Sequence, residues 1–272
     1  MKQLILQKIL AFLKRDFRTE LSYRLAFFMR FFGIFFSVAI FFFISKLFGT
    51  AVNPYLSAYG GDYFSFVLIG IAFSGFLGTG LNTFSSSISS AQSQGTLEAM
   101  LVTPTRLSSI IIFSSFWNFL FTSINVLVYL LFGALIFGVD LSRANLFPAV
   151  LIIFLTVTAF SGLGIISASF IMVLKRGDPV NWLFGSISSL MGGTYFPIAV
   201  LPAWLQKFSY LFPIFYSLRA MRHALLQGYS LVSLAPDILV LAAFSGIIIP
   251  LSILVFKYAV KRAKIDGSLV TY

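Results

Sequence analysis

Eight carboxylates, one histidine and no cysteine constrain the chemistry open to this 272-residue chain. Without cysteine there is no disulfide framework, thiolate zinc site, iron–sulfur cluster or thiol nucleophile, and His223 alone cannot form a histidine cluster for a catalytic metal. The acids Asp16, Glu20, Asp62, Glu98, Asp140, Asp178, Asp237 and Asp266 are scattered between or at the edges of long apolar stretches. No carboxylate pair is in place for hydrolysis, and no acid sits inside an apolar stretch, where ion-coupled carriers and proton relays keep theirs. A phosphate loop of the form GxxxxGK[ST] is also missing, so nucleotide energy would have to come from another chain. The reading is therefore a protein with no catalytic residue, no metal site and no cofactor of its own.

What remains is recognition and passage. Gly70, Ser74, Gly78, Asn82, Ser86 and Ser90 recur every four residues, which places small and polar groups on one helix face. Such a face lets a second helix approach closely, and its hydroxyls and amide can also line a polar path. Ala91 to Arg106, AQSQGTLEAMLVTPTR, reads as a turn at Gly95, a cap at Thr96, and a short helix with Leu97, Met100 and Leu101 on one side. Thr103 and Pro104 end it, and Glu98 is its only charge. A helix of this kind suits a groove in a soluble partner, and suits equally a turn packed among lipid headgroups. Lys175, Arg176, Gly177, Asp178 and Pro179 form a compact charged turn, by default a topogenic signal and otherwise a candidate second contact.

The elements that hold these residues are helices in a bilayer. The chain is 59% hydrophobic, 18% aromatic and only 10% charged, with a mean hydropathy of +0.97. That leaves too little polar surface for a water-exposed globule. A span needs roughly 20 apolar residues, and six such stretches are read at 27–48, 63–85, 107–138, 145–174, 180–201 and 237–257. They are too long and too continuous for barrel strands, so the fold class is an all-α polytopic membrane protein in a single domain, 1–272. Counting Lys and Arg by alternate segments puts fourteen on the side of the termini and five on the other, which makes both termini cytoplasmic. The net charge of +11 then speaks for anionic lipid, not nucleic acid. Residues 1–26 carry Leu6, Ile9, Leu10, Leu13, Phe17 and Leu21 at helical spacing, with Lys8, Arg15 and Arg18 off that stripe. They read as an amphipathic interfacial helix, not as a cleaved signal.

The segment 197–235 lies outside on this topology and yet is apolar. Pro202 opens one short helical run, Pro213 breaks it, and a second run from Ile214 to Gln227, about 21 Å long, ends before Gly228. Two half-helices dipping into the outer leaflet between spans five and six fit this pattern. Arg219 and Arg222 on the second are expected to anchor it to anionic groups of that leaflet, or to receive an anionic headgroup there.

GTLEAMLVTP between the second and third spans, with YFPIAVLPAWLQKFSYLFPIFYSLRAMR after the fifth, resembles the membrane subunits of type 2 ATP-binding-cassette exporters. The resemblance implies a homodimeric permease bound on the cytoplasmic side by two copies of a separate ATPase that carries the ATP and magnesium. It places 91–104 as the coupling helix, with Gly95, Thr96, Leu97, Glu98, Met100, Leu101, Thr103 and Pro104 in the contact. It makes Phe196, Pro197, Pro202, Pro213, Arg219 and Arg222 part of the outer gate, and turns attention to Asn82, Asn181, Trp182 and Tyr195 as candidates for the path. It further implies a bacterial inner membrane and a cargo such as a lipid-linked glycan, a lipid or a drug. Where many relatives carry charges just before GTLE, this chain has Gln92, Ser93 and Gln94. The readings from other classes are an ion-coupled secondary transporter, which would work with no ATPase, and a membrane-embedded enzyme or scaffold.

Overall fold

The computed structural model describes residues 24–49, 51–93, 107–174 and 178–265, with Lys14, Phe17, Arg18 and Ser22 before them. Among these residues there are nine α-helices and no strand. They are α1 (Arg24–Phe48), α2 (Asn53–Leu56), α3 (Tyr63–Ser93), α4 (Leu107–Leu135), α5 (Leu146–Leu174), α6 (Pro179–Met191), α7 (Ala203–Ser209), α8 (Pro213–Leu226) and α9 (Leu231–Ile265). Five of them, α1, α3, α4, α5 and α9, are long and apolar enough to cross a membrane. The coupling segment 91–104 and the amphipathic 1–26 lie almost wholly outside the described residues.

Local chemistry sets the helix starts. Asp62 accepts the backbone N–H groups of Phe64 (3.3 Å) and Ser65 (2.8 Å), which satisfies donors that the first turn of α3 cannot satisfy itself. Asp178 accepts from the Asn181 N–H at 2.9 Å and is followed by Pro179, whose missing N–H costs nothing at that position. Pro213 opens α8 in the same way.

Packing makes α3 the centre. Two-thirds of its apolar window is buried (67%), against 11% for α1 and 17% for α9, so α3 is surrounded while those two present broad faces outward. At its crossing with α5, a Cβ on Gly164 would lie 2.2 Å from the Gly80 carbonyl oxygen, and a Cβ on Gly80 2.6 Å from Phe160 Cβ. Only glycines allow backbones that close, and the burial of Phe160, Leu81 and Ile152 around the crossing supplies the apolar gain. A second cluster of Phe84, Ile88, Met172 and Ala259 ties α3, α5 and α9 together toward the end of the bundle that carries residues 24, 93, 107, 174 and 265, called the terminal end below. A third, built on Val38, Phe64 and Leu68, holds α1 toward the opposite end.

Two expected spans are corrected. The stretch 180–201 is helical only to Met191, so α6 is 13 residues long, about 20 Å. The chain then turns through Gly192 and Gly193, the latter at φ +66°, because the carbonyls of residues 193 and 194 turn inward to meet a buried arginine. The stretch 237–257 extends to Leu231–Ile265, which places Asp237 inside α9. The helix tolerates that buried acid because Arg219 pairs with the carboxylate from α8.

Candidate functional site

Two polar assemblies stand out in an otherwise apolar molecule. The first is built around Arg222 near the end of the bundle opposite the terminal end. Its side chain is almost fully buried (2% exposed). Nε donates to the Phe66 carbonyl at 3.1 Å, and one terminal nitrogen donates to the carbonyls of Gly193 (2.8 Å) and Thr194 (3.3 Å). The guanidinium also lies over the Phe66 ring, 3.4 Å from its centroid, and 5.7 Å from that of Tyr59. Carbonyl dipoles and ring faces thus replace the water that a buried cation gives up. The turn can come this near because residue 70 is glycine: a Cβ there would lie 2.1 Å from the Thr194 carbonyl oxygen and 2.7 Å from the arginine.

The rest of α8 is held as firmly. Arg219 meets Asp237 through two nitrogens and stacks on Phe215, 4.6 Å from the ring centroid. Ser217 shares a 2.6 Å hydrogen bond with Thr156 of α5. His223 is stacked between Tyr59 and Tyr229 and bonds to Gln227 at 2.6 Å. Burial pushes the Tyr59 phenol above its ordinary pKa, in spite of the nearby arginines.

These contacts correct the expectation for the two arginines. Arg222 is enclosed and does not reach outside anions, and Arg219, about one-third exposed, is paired with Asp237. The other residues of the outer segment divide by depth. Pro197 and Pro213 are buried, Phe196 is half-buried, and Pro202 is exposed at the start of α7.

The second assembly is an open cleft of about 430 Å³ among α1, α3 and α4. From α3 it takes Gly78, Asn82 and Ser86, half of the four-residue stripe read in the sequence. Gly70 serves the Arg222 junction instead, Ser74 bonds back to the Ile71 carbonyl at 2.8 Å, and the Ser90 side chain lies outside the description. From α4 come Asn118, Thr122 and Asn125, and Arg30 of α1 closes one side with its guanidinium 4.4 Å from the Phe121 ring centroid. Thr79 and Thr122 share a 2.6 Å hydrogen bond, and Asn118 donates to Thr83 at 3.3 Å. The Asn125 side-chain oxygen is buried with no partner among the described residues.

The α4 half of this cleft was missed in the sequence, although its signal is present. Asn118, Thr122 and Asn125 stand at i, i+4 and i+7, which puts the helix's two asparagines and its threonine on one face.

Of the path candidates, Asn82 and Asn181 are brought together, the Asn181 amide donating to the Asn82 side-chain oxygen. Trp182 is beside them and exposed, whereas Tyr195 is remote and stacks on Phe41 of α1 with ring centroids 5.7 Å apart. The residues from Asn82 to Gly70 measure about 18 Å along α3, and α6 bridges them, bonded at Asn181 and docked again where its following turn meets Gly70. Asp178 caps α6 and accepts from Ser167, so its carboxylate is engaged within the chain. Lys175, Arg176 and the coupling-helix residues Gly95, Thr96, Leu97, Glu98, Met100, Leu101, Thr103 and Pro104 lie outside the described residues.

Comparison with known proteins gives one family. The model of the family described as ABC-2 type transporter matches residues 7–226, from the segment before α1 to the end of α8. No curated protein matches the chain.

Proposed function

Because the chain belongs to the ABC-2 type transporter family, and is thereby the permease subunit of an ABC transporter, we propose that it forms the membrane part of an ATP-driven exporter. Two copies make the path, and two copies of a separate ATPase, binding ATP and magnesium, drive it. The match over 7–226 carries this reading. The bundle supports it, since long helices are followed by a short α6 and by the two short helices α7 and α8.

The terminal end of the bundle is cytoplasmic on this reading, as its Lys and Arg excess requires. It carries Arg24, Lys257, Lys261 and Arg262 of the described residues, and both segments that connect helices toward the ATPase, 94–106 and 175–177. Residues 95–104, with Glu98 and the apolar Leu97, Met100 and Leu101, seat in the ATPase. ATP binding moves the permease only as far as the ATP-loaded partner prefers one arrangement of that contact over the other. The segment α6 to α8, with the turn 192–202, makes the fifth crossing and the closure on the outer side. Asn82, Asn181 and Trp182 border the path. The cargo is amphipathic: a lipid-linked glycan, a lipid or a drug.

The test is affinity purification of the tagged chain from gently solubilised native membranes, followed by an ATPase assay. A stoichiometric ATPase whose recovery drops in Leu97→Ala/Glu98→Ala is the expected result. Recovery of the chain alone, transporting in reconstituted vesicles without ATP, would overturn the proposal in favour of a secondary transporter.

A further inference from the structure

The amides on the walls of the α1–α3–α4 cleft carry hydrogen-bonding capacity that the chain does not use. Among the described residues Asn118 makes one side-chain hydrogen bond, from its nitrogen to Thr83, and Asn125 makes none, although its oxygen is buried. Asn82 donates to the Gly78 carbonyl and accepts from Asn181. A primary amide has two N–H donors and an oxygen with two lone pairs. Two amide oxygens and several N–H groups are therefore left over in one cleft. Arg30 on the same wall is already engaged, so the choice of ligand falls to these uncharged groups.

Their pattern selects the chemistry. A phosphate or carboxylate only accepts, and would leave the Asn118 and Asn125 oxygens unpaired; an ammonium only donates, and would leave the amide N–H groups unpaired. A hydroxyl does both. Neighbouring hydroxyls can thus exchange donor and acceptor with Asn118 and Asn125, which stand seven residues apart on α4, about 10 Å. Trp117 and Phe121 give the cleft an apolar side for the carbon skeleton that carries those hydroxyls. The volume of about 430 Å³ is in the range that holds small ligands.

Access is sideways, from the bilayer. Phe28, Phe32, Phe116 and Leu120, from the same stretches of α1 and α4, are exposed and apolar, as lipid-facing side chains are, and Asn82, Ser86 and Asn118 of the cleft are exposed with them. Ser86 is seven residues from the end of α3 at Ser93, about 10 Å, and 23 from its start at Tyr63, about 35 Å, so the opening lies toward the terminal end.

We infer that the cleft is a binding site for the uncharged, hydroxyl-bearing headgroup of a lipid, a sugar or other polyol, entering from the leaflet at the terminal end. Asn118 and Asn125 exchange hydrogen bonds with its hydroxyls, and the remaining N–H of Asn82 donates to another. With the terminal end cytoplasmic, as proposed above, this is the inner leaflet. Binding itself requires neither ATP nor a partner.

Trp117 supplies the probe. In full-length Trp182→Phe/Trp204→Phe protein, whose two substituted side chains are exposed, Trp117 is the only tryptophan left. The protein is reconstituted in phosphatidylcholine vesicles with rising fractions of one lipid brominated on its acyl chains: glucosyl diacylglycerol, phosphatidic acid or phosphatidylcholine. The glucosyl lipid is expected to quench Trp117 with about fivefold higher relative affinity than the other two, the factor that one net hydrogen bond is worth. Asn118→Leu and Asn125→Leu should each lower that preference. Asn125→Leu removes an unpaired buried oxygen and should melt no lower than the parent in detergent, which separates lost binding from lost fold. Equal quenching by the three lipids, or a preference unchanged in both leucine variants, would overturn the assignment, and the comparison on the parent tests it even where a variant fails to fold. A preference for phosphatidic acid would give the cleft to an anion, and displacement of the brominated glucosyl lipid by millimolar methyl glucoside would give it to a free sugar; either result also overturns the lipid assignment. None of these outcomes bears on the export reading, which the ATPase assay tests separately.

Discussion

The Arg222 junction and the α1–α3–α4 cleft both put an arginine against a phenylalanine ring, and they use it in opposite ways. At the junction the cation is enclosed and takes three backbone carbonyls from two separate parts of the chain. In the cleft Arg30 is exposed, over the Phe121 ring and on the wall of an open volume of about 430 Å³. A buried arginine surrounded by backbone acceptors fixes geometry, since moving it would strand polar groups in an apolar interior. The contrast separates an enclosed arginine that holds α8 in place from an exposed one that borders an open polar cleft.

The sharpest way to break that contrast is at two glycines of the same stripe. Gly70→Val would drive a side chain into the Thr194 carbonyl, 2.1 Å from the new Cβ, and is expected to abolish recovery of folded protein by size-exclusion chromatography in detergent. Gly78→Val points into open space and should leave the elution profile unchanged. If both variants behave alike, the stripe is one packing surface and the distinction fails.

Next in size is Arg222→Met, which keeps the bulk and removes the donors. Losing hydrogen bonds at about 1–3 kcal/mol for each buried group, not fully additive, should cost about 2–4 kcal/mol. The corresponding Arg30→Met should change the melting temperature in detergent little. The Arg219–Asp237 pair sharpens the point within α8. With Arg219 about one-third exposed and Asp237 buried, Arg219→Gln should cost about 1–2 kcal/mol by leaving a carboxylate unpaired. Arg219→Gln/Asp237→Asn should recover part of that in a double-mutant cycle.

Smaller still is the Asn82–Asn181 bond. Either alanine variant should shift stability by less than about 1 kcal/mol while changing transport, measured as ATP-dependent export with surface expression checked in parallel. A larger loss of stability than of transport would move that pair from the path to the scaffold.

The smallest effect concerns Asp140, between α4 and α5. Its carboxylate accepts from the Ser142 side chain and its N–H, the latter at 2.9 Å, which holds its pKa below the ordinary value. The folded pKa is the lower one, so the contribution is present above the unfolded value near 3.8 and disappears as pH falls through the folded value. The melting temperature should therefore be flat between about pH 5 and 8 in this respect. Asp140→Asn should differ from the parent above pH 4 and converge with it in stronger acid.

Much of the fold was legible because burial in a bilayer imposes length and apolarity on each helix. The helix limits Leu146–Leu174 fall within one residue of the stretch read at 145–174, and the break at Pro213 separates α7 from α8 as read. The acids were harder. Asp237 reads as the edge of the stretch 237–257 because a charge is expensive in a span, and its partner eighteen residues earlier, across a turn, stabilises it inside α9. Arg222 reads as surface for the same reason. Nothing local announces that Phe66, Gly193 and Thr194 will surround it.

The amino-acid sequence by itself determined the class of the molecule, its helices and the lack of a phosphate loop, since composition and period are properties of one segment at a time. It also held the two polar stripes, Gly78–Asn82–Ser86 and Asn118–Thr122–Asn125. That they face each other across a cleft, while Gly70 on the same stripe is closed against a turn, was decided by tertiary structure alone. Periodicity fixes which side chains share a face, but the neighbour that face meets depends on contacts between residues far apart in the chain.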